Sequence, residues 1–418
     1  MKDLFLELDH RILHLIHLIG HEAKVMDTKA YLVGGIVRDL FLKKENFDID
    51  IVVEGDGIAL AEAVVQKRNA KITSYPKFKT ASVFFQNGIV IDFATTRRET
   101  YERSGALPQV FDGSIHDDLF RRDFTINAMA ITLNNDSLGA LVDDFAGFKD
   151  LIDRKIRILH PQSFYDDPTR ILRAVRFQTR FGFQIESDTL RLMKKAVKEG
   201  VINNVKSQRW FEEFRKNLNE VNAPQSIRQL ASIGAMKFLS KKFSCDFGLL
   251  NRIQKNLNSK KMTEDRVIDG SVVYLMALLF PFGESKSKKI MQNWQLTRGE
   301  VSKILSIFHK KDLQKALSSK KLRHSDIYRR LEGLSLEALA FFYATSQNRE
   351  YQRNILLFQE KLMDVHLEIT GDDLKNLGVA EGKKIKLILD EVLNNRIDGV
   401  VFGRLNEIQF AQKLISKS

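Results

Sequence analysis

Two aspartates one residue apart, Asp48 and Asp50, have the types and spacing of metal ligands. They stand in the otherwise apolar stretch ENFDIDIVVEGDG, residues 45–57, which predicts a buried strand. Because side chains alternate between the two faces of a strand, both carboxylates lie on the same face. Adjacent like charges raise each other's pKa where water is scarce, and a divalent cation removes that cost. The pair therefore predicts a metal site, with two hydrated aspartates on an edge strand as the alternative.

A third carboxylate follows in a predicted hairpin. Residues 80–94 contain two apolar runs separated by Asn87-Gly88, which is typical of a type I′ turn. The second run carries Asp92. If its strand pairs near that of Asp48 and Asp50, the three carboxylates can hold two Mg²⁺ ions roughly 4 Å apart, an arrangement used for phosphoryl displacement. An exposed strand aspartate is the alternative for Asp92.

The glycines at positions 34 and 35 suit the binding of a phosphate group. The sequence predicts a strand over residues 30–33, a turn at Gly34-Gly35 and then an amphipathic helix. Backbone amides at the start of such a helix can approach phosphate oxygens, and Arg38, one turn later, can add a charged contact. A tight corner without a ligand is the alternative.

A pair of arginines offers further donors to an anion. Arg121 and Arg122 precede a polar segment that runs from Asp123 to Asn127. Planar guanidinium groups suit a triphosphate, because they donate two parallel hydrogen bonds. An internal ion pair between arginine and aspartate is the alternative.

A second arginine-rich segment, DDPTRILRAVR at residues 166–176, has the pattern of a helix start. Asp167 can cap the helix, and Pro168 suits its first position. Arg170, Arg173 and Arg176 recur at intervals of three, so they lie along one side, which is expected to face an anion. Asp167 as acceptor and Arg170 as donor could present a fixed pattern to the edge of a nucleobase.

The elements that must position these residues change in character along the chain. Up to about residue 150, strand and helix patterns alternate, which predicts a mixed sheet with helices. The first twenty residues predict an amphipathic helix. From about residue 150 on, Leu, Ile and Phe recur at helical spacing and no proline follows Pro281, so this part is predicted to be all-α. The predicted fold class is α+β.

The charge is divided unevenly along the 418 residues. Residues 1–150 contain 18 Lys and Arg against 23 Asp and Glu, whereas residues 151–418 contain 48 against 30. A basic second part predicts a polyanion as partner, with solubility as the alternative explanation. The single cysteine, Cys245, excludes an intrachain disulfide and fits reducing conditions. No apolar run is long enough to span a bilayer, so a cytoplasmic protein without a membrane partner is expected.

Several motifs in this order resemble those of the class II tRNA nucleotidyltransferases, the bacterial CCA-adding enzymes, and of the related bacterial poly(A) polymerases. The motifs are LVGGIVRD, DIDIVVEGDG, IDFATTRRETY, DDLFRRDFTINAMA, DDPTRILRAVRF and, more loosely, SQRWFEEF. The VVEGDG phrase is similar to that of the subgroup that adds only the terminal A. The segment from Arg98 to Ile115 matches the family's flexible loop, whose presence favours the addition of A.

The resemblance implies roles for the residues that match its motifs. It implies that Asp48 and Asp50 bind Mg²⁺, that Asp92 is the third acidic position, and that Asp167 and Arg170 recognise the base of CTP or ATP. The implied nucleotide-binding residues are Gly34, Gly35, Arg38, Arg121, Arg122, Asp123, Asn127, Asp167, Arg170, Arg173 and Arg176. Two positions depart from the family pattern: Asp166 replaces a glutamate, and Gln208 stands where a glutamate usually precedes Arg209.

The resemblance also implies a domain order and an activity. The expected parts are a catalytic head at residues 1–140, a nucleotide-recognising neck at 141–216, a body at 217–340 and a tRNA-binding tail at 341–418. The implied activity is template-independent, Mg²⁺-dependent addition of CMP or AMP to the 3′ end of tRNA with release of pyrophosphate. The alternatives are a poly(A) polymerase, a CC-adding enzyme, a noncatalytic RNA-binding protein and a transferase of nucleotides to small molecules.

Overall fold

The computed structural model describes residues 9–46, 48–240, 243–259, 266–310, 312–380 and 382–416. The chain divides into two compact units, Met1–Lys241 and Lys242–Ser418. The finer division into head, neck, body and tail stays a prediction. In the part of the chain that is described, no helix has both the length and the apolar character needed to cross a bilayer.

A mixed sheet of seven strands forms the centre of the first unit. Within the described ranges its strand order is β3-β4-β5-β2-β1-β8-β9, and β2 and β5 are parallel neighbours. The strands of the first unit are β1 Lys29–Val33, β2 Ile49–Glu54, β3 Ala70–Tyr75, β4 Thr80–Phe85, β5 Val90–Thr95, β6 Arg97–Thr100, β7 Gln109–Asp112, β8 Ala130–Thr132, β9 Leu141–Val142, β10 Lys155–Ile156 and β11 Gln184–Ile185. A mixed sheet with helices confirms the fold class predicted for this part.

Helices of the first unit lie before, between and after these strands. Their bounds are α1 His10–Val25, α2 Gly35–Phe41, α3 Gly57–Lys67, α4 Ile115–Phe120, α5 Gly147–Ile152, α6 Ser163–Asp166, α7 Arg170–Phe181, α8 Ser187–Lys198, α9 Ser207–Leu218 and α10 Ala223–Ser232. Helix α1 confirms the predicted N-terminal helix from His10 on, whereas residues 1–8 of that prediction lie outside the described residues.

The two faces of strand β5 differ in burial. On β5, Ile91 and Phe93 are buried while Asp92 between them is exposed, as side-chain alternation requires. Helix α3 packs against β4 and β5 and is itself in contact with α1. Asp56 caps α3 by accepting hydrogen bonds from the amides of Ile58 and Ala59. This packing leaves the face that carries Asp92 available for a site.

The turn between β4 and β5 is not the predicted type I′ turn. Gly88 has a φ of +82°, whereas Asn87 is not among the residues with positive φ, and a type I′ turn needs positive φ at both central residues. The amide of Gly88 donates to the carbonyl of Phe85 at 3.1 Å. The loop therefore contains three residues, one more than a type I′ turn has. It is a type I turn followed by a glycine in the left-handed conformation.

Two further expectations need correction. The segment from Arg98 to Ile115 is not a loop throughout, because β6 and β7 form an antiparallel hairpin and residues 101–108 connect them. The part after residue 150 is not wholly helical, because β10 and β11 form a short parallel pair. The strands have four residues each in the first pair and two in the second, and such short strands leave little periodic signal in a sequence.

The described part of the second unit is helical. Its helices are α11 Phe247–Leu257, α12 Gly270–Leu279, α13 Glu284–Asn293, α14 Arg298–Ser306, α15 Leu313–Leu317, α16 His324–Leu331, α17 Leu336–Thr345, α18 Arg349–Leu357, α19 Gly371–Asn376, α20 Lys383–Ile397 and α21 Gly403–Ser416. Helix α12 is buried along most of its length and packs against α17, while α20 and α21 share a smaller core. This unit agrees with the prediction of an all-α second part.

Candidate active site

Three carboxylates converge at strands β2 and β5 of the sheet. The parallel register of β2 and β5 places Asp50 directly opposite Asp92, and Asp48 lies just before β2. One carboxylate oxygen from each of the three lies within 4.8 Å of the others. The predicted convergence of Asp92 with Asp48 and Asp50 is therefore confirmed.

The charges of this triad are poorly compensated by the protein. Burial, followed by the nearby Asp48 carboxylate, raises the pKa of Asp50 to about 6, while Arg122 acts in the opposite direction. The donor set consists of hard oxygen ligands, which Mg²⁺ and similar divalent cations prefer. A cation would also remove the repulsion among the three groups. The acidic triad therefore fits a divalent metal ion.

Neutralising Asp50 is expected to stabilise the metal-free protein. A carboxyl group whose pKa is raised on folding stabilises the folded state at a pH below its unfolded pKa. For Asp50 this stabilising contribution is lost as the pH rises from about 4, the unfolded pKa, to about 6, the folded pKa. In EDTA at neutral pH, we expect Asp50→Asn to melt at a higher temperature than the wild type. Added Mg²⁺ should raise the melting temperature of the wild type alone. An equal rise in the variant would contradict the assignment of Asp50 as a ligand.

The turn at Gly34 places main-chain atoms next to the carboxylate triad. Gly34 has a φ of +79°, and a Cβ atom there would lie 2.9 Å from a terminal nitrogen of Arg122 and 3.5 Å from Oδ2 of Asp50. A side chain here would be strained by the left-handed backbone, and it would have to displace the end of the Arg122 side chain. Because the turn leads directly into α2, it places the start of a helix beside the metal ligands.

An open cleft of about 700 Å³ adjoins the triad. All the predicted site residues except Asp92 line it: Gly34, Gly35, Arg38, Asp48, Asp50, Arg121, Arg122, Asp123, Asn127, Asp167, Arg170, Arg173 and Arg176. Asp92 lines an adjoining cavity of about 400 Å³, which shares Asp50, Arg121 and Arg122 with the cleft. Residues that are up to 142 positions apart in the sequence thus meet around one space.

Both arginines of the first pair are held by Asp118, a residue that the sequence analysis missed. Arg121 donates to its carboxylate at 2.9 and 2.7 Å, and Arg122 donates at 3.0 Å. Burial acts to raise the pKa of Asp118, but Arg122 and Arg121 together hold it below its usual range. In these contacts the arginines form the internal ion pairs with aspartate that the sequence analysis gave as the alternative to anion binding. The buried Nε of Arg122 has no hydrogen-bond partner among the described residues.

Arg38 is bound more tightly within the protein than expected. Its Nε and one terminal nitrogen donate to Asp39 at 2.9 and 2.8 Å, and the other terminal nitrogen donates to Oδ1 of Asn127 at 2.6 Å. Its guanidinium group also lies 4.7 Å from the ring centre of Phe181. These contacts fix α2 against the turn that carries Asn127. The contact of Arg38 with a nucleotide stays a prediction.

Asp123 continues this network toward α7. It accepts hydrogen bonds from Asn127 at 2.8 Å and from Nε of Arg173 at 2.7 Å. Burial acts to raise the pKa of Asp123, but Arg173 and the Asn127 amide outweigh it and lower the pKa. The carboxylate is therefore an anion held inside the protein by these donors.

The arginines on α7 face carboxylates of the protein itself. Arg173 meets Glu213 on α9 at 3.4 Å as well as Asp123, and Arg176 meets Glu213 at 3.2 Å. The anions that this side of α7 faces are thus carboxylates of the protein itself. Glu213 was missed because it lies about 40 positions from its partners. The buried Nε of Arg176 has no partner in the described part of the chain.

Asp167 and Arg170 are both held in place at the edge of the cleft. Asp167 accepts hydrogen bonds from the amide and hydroxyl of Thr169 at 3.0 and 2.6 Å, and from Arg209 at 2.7 Å. Arg170 is buried and donates to Oγ of Ser163 at 2.6 Å and to the carbonyl of Arg121 at 2.7 Å. Asp167 thus bonds within the turn that precedes α7, whose N-cap is Thr169 and whose first residue is Arg170. The predictions that Asp167 caps the helix and that Pro168 takes its first position are therefore wrong, because the helix begins later.

The two departures from the family pattern lie close to this edge. Burial and the neighbouring Asp167 carboxylate raise the pKa of Asp166. Gln208 donates to Glu212 on its own helix at 3.1 Å, and the next residue, Arg209, is the one that reaches Asp167. Among the described residues, the side chain before Arg209 thus bonds within its own helix.

Comparison with known proteins agrees with this architecture. A family model described as the poly A polymerase head domain matches residues 30–157, and one described as a probable RNA- and SrmB-binding site of polymerase A matches residues 182–257. An A-adding tRNA nucleotidyltransferase of Geobacter sulfurreducens is 35% identical over 95% of this chain and 46% of its own length. The chain thus spans about half of that relative.

Two further proteins match along nearly their whole length. An A-adding tRNA nucleotidyltransferase of Halalkalibacterium halodurans is 32% identical over 98% of this chain and 93% of its own. The structure of the Thermotoga maritima CCA-adding enzyme complexed with tRNA superposes with a TM-score of 0.82 at 33% identity, covering 100% of this chain and 98% of that one. With this coverage at this identity, the chain belongs to the tRNA nucleotidyltransferase family.

Proposed function

We propose that this protein adds a nucleotide from ATP or CTP to the 3′ end of tRNA, with addition of the terminal A as the favoured activity. The observation that carries the proposal is the carboxylate triad beside the Gly34 turn, at the edge of a cleft rich in arginine. Two relatives named for A addition support the choice of the terminal A. The proposed location is the cytoplasm.

The proposed cation is Mg²⁺, and Asp48 and Asp50 would hold it. When bound, Mg²⁺ supplies charge stabilisation for the α-phosphate and its leaving group. Asp92, exposed at the edge of the triad, accepts the proton of the 3′-hydroxyl. The hydroxyl oxygen forms a bond to the α-phosphorus, the bond from that phosphorus to the bridging oxygen breaks, and pyrophosphate departs with the electron pair.

The arginines of the cleft stabilise the negative charge that develops on the phosphates. Arg122 is best placed for this role, because it contacts Asp118 through only one of its terminal nitrogens among the residues described and lines the cleft. Its other terminal nitrogen lies beside Gly34 and therefore beside the start of α2. Fixed donors of this kind stabilise a charged transition state without having to reorganise.

Selection of the base is assigned to Asp167 and Arg170. Both are held by other residues, Asp167 by Arg209 and Arg170 by Ser163, so their orientations are fixed before a ligand arrives. A fixed acceptor beside a fixed donor can discriminate between nucleobases without a nucleic-acid template. The basic residues after position 150 are proposed to bind the phosphates of tRNA.

The experiment that tests the function compares nucleotide addition to RNAs with different 3′ ends. Transcripts of tRNA lacking CCA, tRNA ending in CC and an unrelated RNA are each incubated with Mg²⁺ and with ATP or CTP alone. We expect one AMP to be added to the tRNA ending in CC. Addition of CMP to tRNA lacking CCA indicates CC or CCA synthesis, long A tracts on the unrelated RNA indicate a poly(A) polymerase, and no incorporation at all overturns the proposal.

The salt dependence of RNA binding separates this function from transfer to a small molecule. If six or more phosphates are contacted, tRNA affinity should fall by about a thousandfold or more between 50 and 200 mM salt. A transferase acting on a small acceptor has no need of such contacts.

A further inference from the structure

Glu99 is a carboxylate of the cleft that the proposed reaction does not use. It lies on β6 and lines the arginine-rich cleft, and its side chain is only 7% exposed. A negative charge in a space suited to a triphosphate opposes binding of that ligand unless donors of the protein neutralise it. The value of Glu99 to the site must therefore lie in its contacts with the protein.

Three donors bind the two carboxylate oxygens of Glu99. One oxygen accepts hydrogen bonds from a terminal nitrogen of Arg97 at 3.0 Å and from a terminal nitrogen of Arg121 at 3.3 Å. The other oxygen accepts a hydrogen bond from the hydroxyl of Tyr101 at 2.9 Å. Arg97 and Tyr101 are neighbours of Glu99 on the hairpin, whereas Arg121 directly follows α4. Glu99 thus connects the hairpin to the pair of arginines after α4.

The contact with Arg121 continues to the proposed base-reading pair. Two carboxylates, Asp118 and Glu99, hold the Arg121 side chain. The main-chain carbonyl of Arg121 accepts a hydrogen bond from Arg170 at 2.7 Å. Because the side chain and the carbonyl belong to one residue, a looser Arg121 side chain also loosens the acceptor that orients Arg170.

Tyr101 is the second route from Glu99 to this pair. It lines the same cleft as Asp167 and Arg170. Burial, followed by the Glu99 carboxylate, raises the pKa of the Tyr101 hydroxyl, while Arg170 acts in the opposite direction. The hydroxyl therefore keeps its proton and donates it to Glu99. Without Glu99, this hydroxyl becomes a donor with no fixed direction beside the base-reading pair.

We propose that Glu99 is a positioning residue for base selection, which holds Arg121 and Tyr101 and thereby fixes the donors and acceptors around the nucleobase. This inference rests on the proposed function, since it adds a residue to that reaction's choice between ATP and CTP. Selection requires groups whose directions are locked by further hydrogen bonds, because a mobile donor adapts to either base. Glu99 acts through its partners and takes no part in the chemical step.

The test is the ratio of kcat/KM for ATP to kcat/KM for CTP on tRNA ending in CC. We expect Glu99→Ala to lower this ratio by about tenfold, the usual size of an effect of lost hydrogen bonds to a charged group. A variant that only folds less well loses both activities in proportion and keeps the wild-type ratio. Glu102→Ala is the matched control, because Glu102 is an exposed carboxylate of the same hairpin that accepts from Gln109 and is not among the residues lining the cleft.

Glu99→Gln separates position from charge. The amide keeps an oxygen that accepts from Arg97 and Arg121, and its nitrogen can donate to the oxygen of Tyr101, so the ratio should stay within about threefold of the wild-type value. An unchanged ratio in Glu99→Ala, an equal fall in Glu102→Ala, or a fall in Glu99→Gln as large as in Glu99→Ala would each overturn the role of Glu99 while the wild type still incorporates nucleotides. Failure of the proposed function is a different result, since the wild type would then extend no RNA.

Discussion

Replacement of Asp48 by alanine is expected to lower the rate of nucleotide incorporation by at least about a thousandfold. The loss of one carboxylate from a triad whose oxygens lie within 4.8 Å of one another removes a ligand for the cation, and cation stabilisation of the transition state amounts to several kcal/mol, with about 1.4 kcal/mol for each tenfold change in rate. The measurement is single-turnover extension of tRNA ending in CC with ATP and Mg²⁺.

The affinity for tRNA should be almost unaffected by the same substitution. Asp48 is a single exposed residue of the acidic part of the chain, and we assign RNA binding to the basic part. Fluorescence anisotropy with labelled tRNA measures this affinity. Asp136→Ala is the control, because Asp136 is an exposed aspartate of the same unit that pairs with Lys24; it should extend tRNA at the wild-type rate. An Asp48→Ala protein that still extends tRNA at that rate excludes Asp48 as a metal ligand.

Replacement of Asp123 by alanine is expected to lower the free energy of unfolding of the first unit by about 3–5 kcal/mol, the usual result of removing one partner of a buried ion pair. Asp123 is buried and accepts hydrogen bonds from Asn127 and Arg173. Without it, the Arg173 guanidinium keeps the longer contact with Glu213 and its position over the Phe177 ring. Loss of Asp123 therefore destabilises, whereas loss of the Asp50 charge should stabilise the metal-free protein.

Urea denaturation followed by Trp210 fluorescence measures this effect. Trp210 is buried in the first unit, and a Trp294→Phe background removes the other tryptophan. Asp153→Ala is the matched control, since Asp153 pairs with Lys149 at the surface and surface pairs contribute little. An Asp123→Ala protein as stable as this control would show that the network around Asp123 does not stabilise the fold.

Local patterns in the sequence were sufficient to predict the triad. Alternation placed Asp48 and Asp50 on one face, and the apolar runs around Asn87 predicted the hairpin that brings Asp92 back to the sheet. The exact turn was not predictable, because the same Asn-Gly pair fits a two-residue and a three-residue loop. The loop length depends on which residues pair across the strands.

The partners of the arginines were harder to predict. Asp118 precedes Arg121 and Arg122 by three and four residues, a helical spacing that was available in the sequence and would have indicated the ion pairs. Glu213 has no such local signal, because its contacts with Arg173 and Arg176 depend on how α7 and α9 pack. The roles assigned to the arginines in nucleotide binding stay predictions.

The parallel neighbours β2 and β5 have a consequence for biosynthesis. Asp48 and Asp50 leave the ribosome well before Asp92, and β5 can take its place beside β2 only after the crossover through α3 and the β3–β4 hairpin have been made. A nascent chain that ends before β5 therefore lacks Asp92 and the strand that pairs with the one carrying Asp50. The three carboxylates can therefore meet only after the whole segment from β2 to β5 has been synthesised, although β8 and β9 complete the sheet later.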